Sequence, residues 1–169
     1  VGNFLISDSD QGDASSDATG SGMSHDIWSP EIDLTDAQDK VWLHFDCAAI
    51  LNNNGKAVFD VDVSIDGGET WVNVFRRVAP SRTEAEPFAS TENSDGYFGR
   101  VHIDITEPAA GQPEVVVRWR HFEPHWDWWI AIDNVLWSGR VLDPSAADAA
   151  TVALLPPLCN PPWGIRGQA

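Results

Sequence analysis

Four stretches of this chain alternate apolar and polar residues with a period of two, and that pattern limits the fold more than any other feature. Val41, Leu43, Phe45 and Cys47 share one face, with Trp42, His44 and Asp46 on the other. Phe59, Val61, Val63 and Ile65 alternate with Asp60, Asp62, Ser64 and Asp66. Val101, Ile103 and Ile105 alternate with His102 and Asp104, and Val115, Val117 and Trp119 with Val116, Arg118 and Arg120. Successive side chains of a strand point to opposite faces, so each stretch reads as a half-buried strand with a polar outer face. Helical periodicity is almost absent. Turn chemistry separates the strands at Asn52-Asn53-Asn54-Gly55, Asp66-Gly67-Gly68 and Pro108-Ala109-Ala110-Gly111. Several short strands between regular turns predict an all-β, two-sheet antiparallel β-sandwich. The hydrophobic content of 43% is enough for a core without disulfides or metals as obligatory props.

Three regions break the alternation. Residues 7–26 are rich in Asp, Ser and Gly and read as too polar for a core strand. Residues 76–99 form a long connection with Pro80, Pro87 and the pair Tyr97-Phe98, and a connection of that length is usually functional or mobile. From Leu142 the chain turns Ala- and Pro-rich, and those prolines forbid a central strand. The expected organisation is a β-sandwich module over residues 1–141. An extension over residues 142–169 packs as a strap, with Leu158 and Trp163 as anchors, or serves as a linker.

Charge removes whole classes of function. A net charge of −16 argues against nucleic acid, which needs clustered Lys and Arg, and against an anionic membrane surface. Two explanations of the acidity stay open: solubility in an extracellular setting, or carboxylates held for divalent cations. No apolar run is long enough to span a bilayer, and the chain is expected to be soluble. Cys47 and Cys159 are too few for a disulfide scaffold or a zinc site, and their spacing does not fix whether they pair.

Four features carry candidate chemistry. The run Ser64-Ile65-Asp66-Gly67-Gly68-Glu69-Thr70-Trp71 matches an Asp box, Ser-x-Asp-x-Gly-x-Thr-Trp. Its physics is that of a hairpin: Asp66 caps backbone N–H groups, the glycines take unusual dihedrals and Trp71 covers the turn. It occurs once, which excludes a propeller. The segment Asp8-Ser9-Asp10-Gln11-Gly12-Asp13 places carboxylates at alternate positions, as a hard cation requires, although a solvated acidic loop has the same composition. The run Asp127-Trp128-Trp129-Ile130-Ala131-Ile132-Asp133-Asn134-Val135, with Trp126 and Trp137, concentrates four of the nine tryptophans. Alternation sends Trp128 and Trp129 to opposite faces, so the cluster is a sugar platform on one face only, or a ring shield over a sheet end. Catalysis has little support. Cys47 lies on an apolar face where a thiol is inert, and the five histidines form no zinc helix. A glycosidase would need two carboxylates about 5 to 9 Å apart. Asp60, Asp62 and Asp104 are the residues that test for it. A non-enzyme is expected.

Taken in order, Ser29-Pro30-Glu31-Ile32-Asp33-Leu34, Val41-Trp42-Leu43-His44-Phe45-Asp46, the Asp66-Gly67-Gly68 hairpin, Arg118-Trp119-Arg120-His121 and the Trp-rich strand resemble the MAM-like, cleaved-adhesin (choice-of-anchor J) jelly-roll modules of secreted bacterial proteins. These are concanavalin-like sandwiches similar to carbohydrate-binding modules, and the resemblance spans roughly residues 4–138. It implies a jelly roll, a secreted or cell-surface location, and a structural calcium ion held by Asp8, Asp10 and Asp133. It also implies non-catalytic binding of a polysaccharide or glycan, for which Trp126, Trp128 and Tyr97 are the expected contacts. A structural or adhesive module that binds another protein is the rival expectation. The long 76–99 connection and the tail after Val141 have no counterpart in the resemblance.

Overall fold

In a computed structural model of the chain, the alternating stretches pair into two antiparallel sheets. The structure describes residues 4–8, 23–51, 56–79, 95–123, 129–139 and 165–167, with backbone alone for 95–98 and 165–167. The elements are β1 (Leu5–Asp8), β2 (Met23–Trp28), β3 (Trp42–Leu51), β4 (Val58–Ser64), β5 (Val72–Val78), β6 (Asp95–Asp104), α1 (Thr106–Ala109), β7 (Val116–Glu123), β8 (Trp129–Ser138) and β9 (Ile165–Gly167). The sheets have the orders β1-β8-β3-β6 and β5-β4-β7-β2-β9. Setting β9 aside, the orders 1-8-3-6 and 5-4-7-2 are those of a jelly roll, two interlocked Greek keys.

The apolar halves of the alternating strands meet between the sheets. Leu43, Phe45, Cys47, Ala49, Ile130 and Ile132 on one sheet face Phe59, Val61, Val63, Val117 and Trp119 on the other, all buried. Phe45 sits edge-on to Trp119 and Phe59, at centroid distances of 5.8 and 6.5 Å. Such edge-to-face contacts add about 0.5–1.5 kcal/mol each beyond area burial.

Two features of the strands differ from the sequence reading. Residues 23–28, partly inside the segment read as too polar, form β2, because Met23, His25 and Ile27 still alternate inward while β7 supplies the ladder. The strands also extend into the long connection: β5 runs to Val78 and β6 begins at Asp95. The Ile165–Gly167 segment of the extension pairs with β2 as β9. The Pro108–Gly111 turn closes the single turn of α1, with Gly111 at φ +74°.

The Asp box folds as its sequence requires. Ser64 Oγ donates to Asp66 at 2.7 Å and accepts from Gly68 N–H at 2.8 Å, and Thr70 N–H donates to Asp66 at 2.9 Å. These bonds, those to Thr70 first, hold the Asp66 carboxyl down at about 2. Gly68 is at φ +94°, and a Cβ there would stand 2.5 Å from the Trp28 ring, so position 68 admits glycine alone. Trp71 packs edge-on against Trp28 at 4.9 Å and lies 4.2 Å from the Arg118 guanidinium.

Candidate functional site

The solvent-facing side of the β1-β8-β3-β6 sheet carries a trough of about 510 Å³. Its floor comes from two small residues at one rung, Ala48 of β3 paired with Ala131 of β8. Ile6 of β1, opposite Ala131, continues the rung and is 44% exposed, and Phe4 beside it is 59% exposed. Trp129 stands two residues from Ala131 on the same face, opposite Asp8. On the other side of the alanines stand Asp133, paired with Asp46, which in turn pairs with Arg100 of β6. Trp129 and Asp133 are four residues apart, about 13 Å of strand. Four strands at about 4.8 Å spacing give the trough a length of about 14 Å. It is a slot with one aromatic wall and one charged wall.

The charged wall is a connected network. Arg100 forks onto Asp46 through Nε–H to Oδ1 at 2.7 Å and a terminal N–H to Oδ2 at 2.8 Å. Asn134 donates its amide to Asp46 Oδ2 and its backbone N–H to Asp133 Oδ1, both at 2.7 Å. The Arg100 guanidinium first, then the Asn134 amide, holds the Asp46 carboxyl below the usual carboxylate range. Asn134 reaches both acids because it occupies a bulge: between the pairs His44–Leu136 and Asp46–Asp133, Phe45 faces two residues of β8. Asn134 takes a left-handed φ of +49°, a conformation that asparagine tolerates better than most residues. The bulge also exchanges the faces, so Ile130 and Ile132 point inward before it and Val135 and Trp137 after it.

The expected site residues are distributed unevenly around this trough. Trp126, Trp128 and Asp10 lie outside the described residues. Tyr97 is at the β6 rung opposite Ala49, and its side chain also lies outside them. The register does not bring Asp8 and Asp133 together. Asp8 pairs with Trp129, so Asp133 is four residues further along the ladder, about 13 Å away. One calcium ion binds its oxygens at 2.3–2.6 Å and does not bridge that gap. Beside Asp133 the positive charge is the Arg100 guanidinium, so the pair Asp8–Asp133 does not fit a shared ion. No three His, Cys, Asp or Glu side chains among the described residues converge on a metal position. The residues that the sequence reading missed are Trp129, Ala48, Ala131, Asp46 and Arg100. For Trp129 and Ala131 the sequence carries a signal, since with Asp133 they alternate with Ile130 and Ile132, which are buried.

The carboxylates that tested for a glycosidase are engaged elsewhere. Asp60 and Asp62 lie on the outside of the other sheet, nearly buried under arginines, with Arg76 forked onto Asp60 at 2.8 and 2.7 Å and Arg118 on Asp62 at 3.0 and 2.8 Å. Asp104 accepts from Thr106 and Lys40, which hold it at about 2. Burial pushes the Cys47 thiol up to about 12, as its apolar face predicts. Between the sheets, Ser7 Oγ contacts His25 and His121 at 3.1 and 3.0 Å, and His121 Nε2 contacts Glu123 at 2.7 Å. This resembles a hydrolase relay, but Ser7, His121 and Glu123 are all buried, so the hydroxyl meets no substrate.

Fold and trough together define an all-β jelly-roll sandwich with a surface slot on one sheet. No helix among the described residues is long and apolar enough to cross a membrane. No family model matches the sequence, and no curated protein matches it. Among solved structures, one superposes well enough to show the fold. The K1 cleaved adhesin domain of Lys-gingipain from Porphyromonas gingivalis is 16% identical, covers 82% of this chain and 75% of its own, and superposes with a TM-score of 0.50. The K2 cleaved adhesin domain of Lys-gingipain is also 16% identical, over 80% of this chain and 81% of its own, with a TM-score of 0.39. A carbohydrate-binding module specific for non-crystalline cellulose is 10% identical over 70% of this chain and 66% of its own, again at 0.39. At 16% identity and a TM-score of 0.50, the likeness to the K1 domain is one of fold.

Proposed function

We propose that this chain is a non-catalytic extracellular binding module that takes a polysaccharide or glycan strand into the trough on the β1-β8-β3-β6 sheet. The observation that carries this reading is the Ala48–Ala131 pair, which opens a slot between the Trp129 ring and the Asp46–Arg100–Asp133 network. Sugar rings present C–H faces that pack on an aromatic ring and hydroxyls that bond to carboxylates and guanidinium. A slot with one wall of each kind suits such a ligand better than the apolar patch of a protein interface. Trp126 and Trp128 precede Trp129 in the chain and stay in the proposal, with Tyr97, as flanking contacts.

Affinity electrophoresis against a panel of soluble polysaccharides tests the reading. Trp129→Ala is expected to weaken binding about tenfold or more, and Ala131→Phe, which fills the floor, to weaken it as far. Full retention by both variants would remove the trough from the reading.

Calcium enters the proposal in a narrower form, as a structural ion held by Asp8 and Asp10 without Asp133. Its support is the alternate spacing of these acids in a chain of net charge −16. An ion at a hundred times its Kd stabilises by about 2.7 kcal/mol, which raises Tm by about 5 °C or more for a chain of this size. Melting in calcium and in EDTA is expected to differ by that amount in both the wild type and Asp133→Asn. Equal melting temperatures would discard the ion.

A further inference from the structure

We propose, building on the glycan reading above, that the trough selects uncharged glycans and turns away uronate-bearing ones, with Asp133 as the residue that sets the preference. The charged wall holds two carboxylates and one guanidinium. Asp46 and Arg100 form a forked pair and compensate each other, with the Asn134 amide as a third bond to Asp46. Asp133 lies outside that fork. It accepts a hydrogen bond from a neutral donor, the Asn134 backbone N–H. The wall therefore carries one excess negative charge, and it faces the slot because Asp133 lines the trough beside Ala131. Among the described residues that line the trough there is no lysine, and Arg100 is the single cation. The chain around it has a net charge of −16. A carboxylate on a bound sugar would meet that excess charge at a few ångströms, where like charges repel strongly near a protein surface. A hydroxyl in the same place would donate to Asp133, whose second oxygen has room for it. The bulge makes this placement possible, because the left-handed Asn134 turns its N–H toward Asp133 and its amide toward Asp46 together.

The experiment compares neutral polymers (xylan, mixed-linkage glucan, glucomannan) with uronate polymers (polygalacturonate, alginate) by affinity electrophoresis at low and high salt. Wild type is expected to bind at least one neutral polymer, and the uronates at least tenfold more weakly. Asp133→Asn keeps an oxygen to accept the Asn134 N–H. It replaces a charged acceptor of the sugar hydroxyl by a neutral one, so it is expected to weaken neutral binding a few-fold and to raise uronate binding about tenfold at low salt, which collapses the neutral-to-uronate ratio. High salt should narrow the wild-type difference without any substitution, because the repulsion is screened. Uronates bound as tightly as neutral polymers by wild type, or a preference that neither Asp133→Asn nor salt moves, would overturn the role of Asp133 and leave the glycan reading standing. A wild type that binds neither class overturns the glycan reading itself.

Discussion

Arg118→Met is expected to lower stability by about 3–5 kcal/mol, a drop in Tm of about 10 °C or more. Arg118 sits on the outside of the second sheet and is nearly buried there. It donates to Asp62 Oδ2 from two nitrogens and reaches Asp26 at 3.4 Å, while its flat face lies 4.2 Å from the Trp71 ring centroid. The Asp62 side chain is 6% exposed, so methionine would fill the volume and leave a carboxylate buried with only the Asn73 amide, at 2.8 Å, as a partner. A buried charge that loses its counter-charge costs more than the pair contributed. Asp62→Asn in the same background should therefore recover much of the loss, and the double variant separates lost pairing from lost packing. Arg118→Lys keeps the charge but not the fork or the stacking face, and is expected to fall between the two. Thermal melts of the four proteins check this. A single Arg118→Met variant as stable as wild type would show that the Asp62 carboxylate is hydrated or protonated in the fold.

The same residues show where sequence reading stops. Strand existence was legible because alternation is local: β3, β4, β6, β7 and β8 each declare an inward face. What covers the outward face is not local. Asp60, Asp62 and Ser64 read as a solvated polar edge of β4, yet all three are buried. Their cover comes from Arg76 on β5, Arg118 on β7 and the Asp-box hairpin, partners that only the strand order brings together. The jelly-roll order itself is a matter of long connections and was available through resemblance, not through periodicity.

The site was half legible for a similar reason. Trp128 lies outside the described residues, and alternation alone does not say which face Trp129 takes. The register with β1 and β3 decides it, by pairing Trp129 with Asp8 and Ala131 with Ala48. That register also separates Asp8 from Asp133, which the family resemblance placed around one ion. The bulge left a trace in the sequence: the buried series runs Ile130, Ile132 and then Val135, Trp137, a change of parity that requires one extra residue at Asp133-Asn134. Arg100 had no trace, because it lies just beyond the 76–99 connection and shows its role only opposite Asp46.

Acid is expected to destabilise this protein in two phases, the first beginning near pH 6.5, above the carboxylate range. The cause is the cluster between the sheets. His121 of β7 is fully buried, with Ser7 of β1, His25 of β2 and Glu123 of β7 facing it. Burial, then the neighbouring charge of His25, pushes the His121 imidazole down to about 3, and burial also lowers His25. The bond from Ser7 works the other way, but burial outweighs it. An imidazole with a folded pKa below its unfolded value of about 6.5 is neutral in the fold and charged in the unfolded chain across that interval. The unfolded chain then binds more protons, so stability is complete above pH 6.5 and declines by about 1.4 kcal/mol per pH unit for the His121 ring as pH falls toward 3, with His25 adding in the same direction. The second phase lies lower. Asp66 and Asp104, held at about 2 chiefly by Thr70 and Thr106, keep their contribution above the unfolded carboxylate range and lose it as pH drops toward 2. Urea midpoints measured from pH 8 to pH 3 should trace both phases. The double variant His121→Gln, Glu123→Gln keeps hydrogen-bonding groups in the cluster and removes its titration, so the slope between pH 6.5 and 4.5 should shrink by about one proton while the lower phase stays. A wild-type midpoint that rises as pH falls from 8 toward 6.5 and then holds to pH 5 would mean that His121 is charged in the fold and paired with Glu123. The Ser7 hydroxyl would then be tying β1 to an ion pair, and the sheet that carries the trough would gain stability in mild acid instead of losing it.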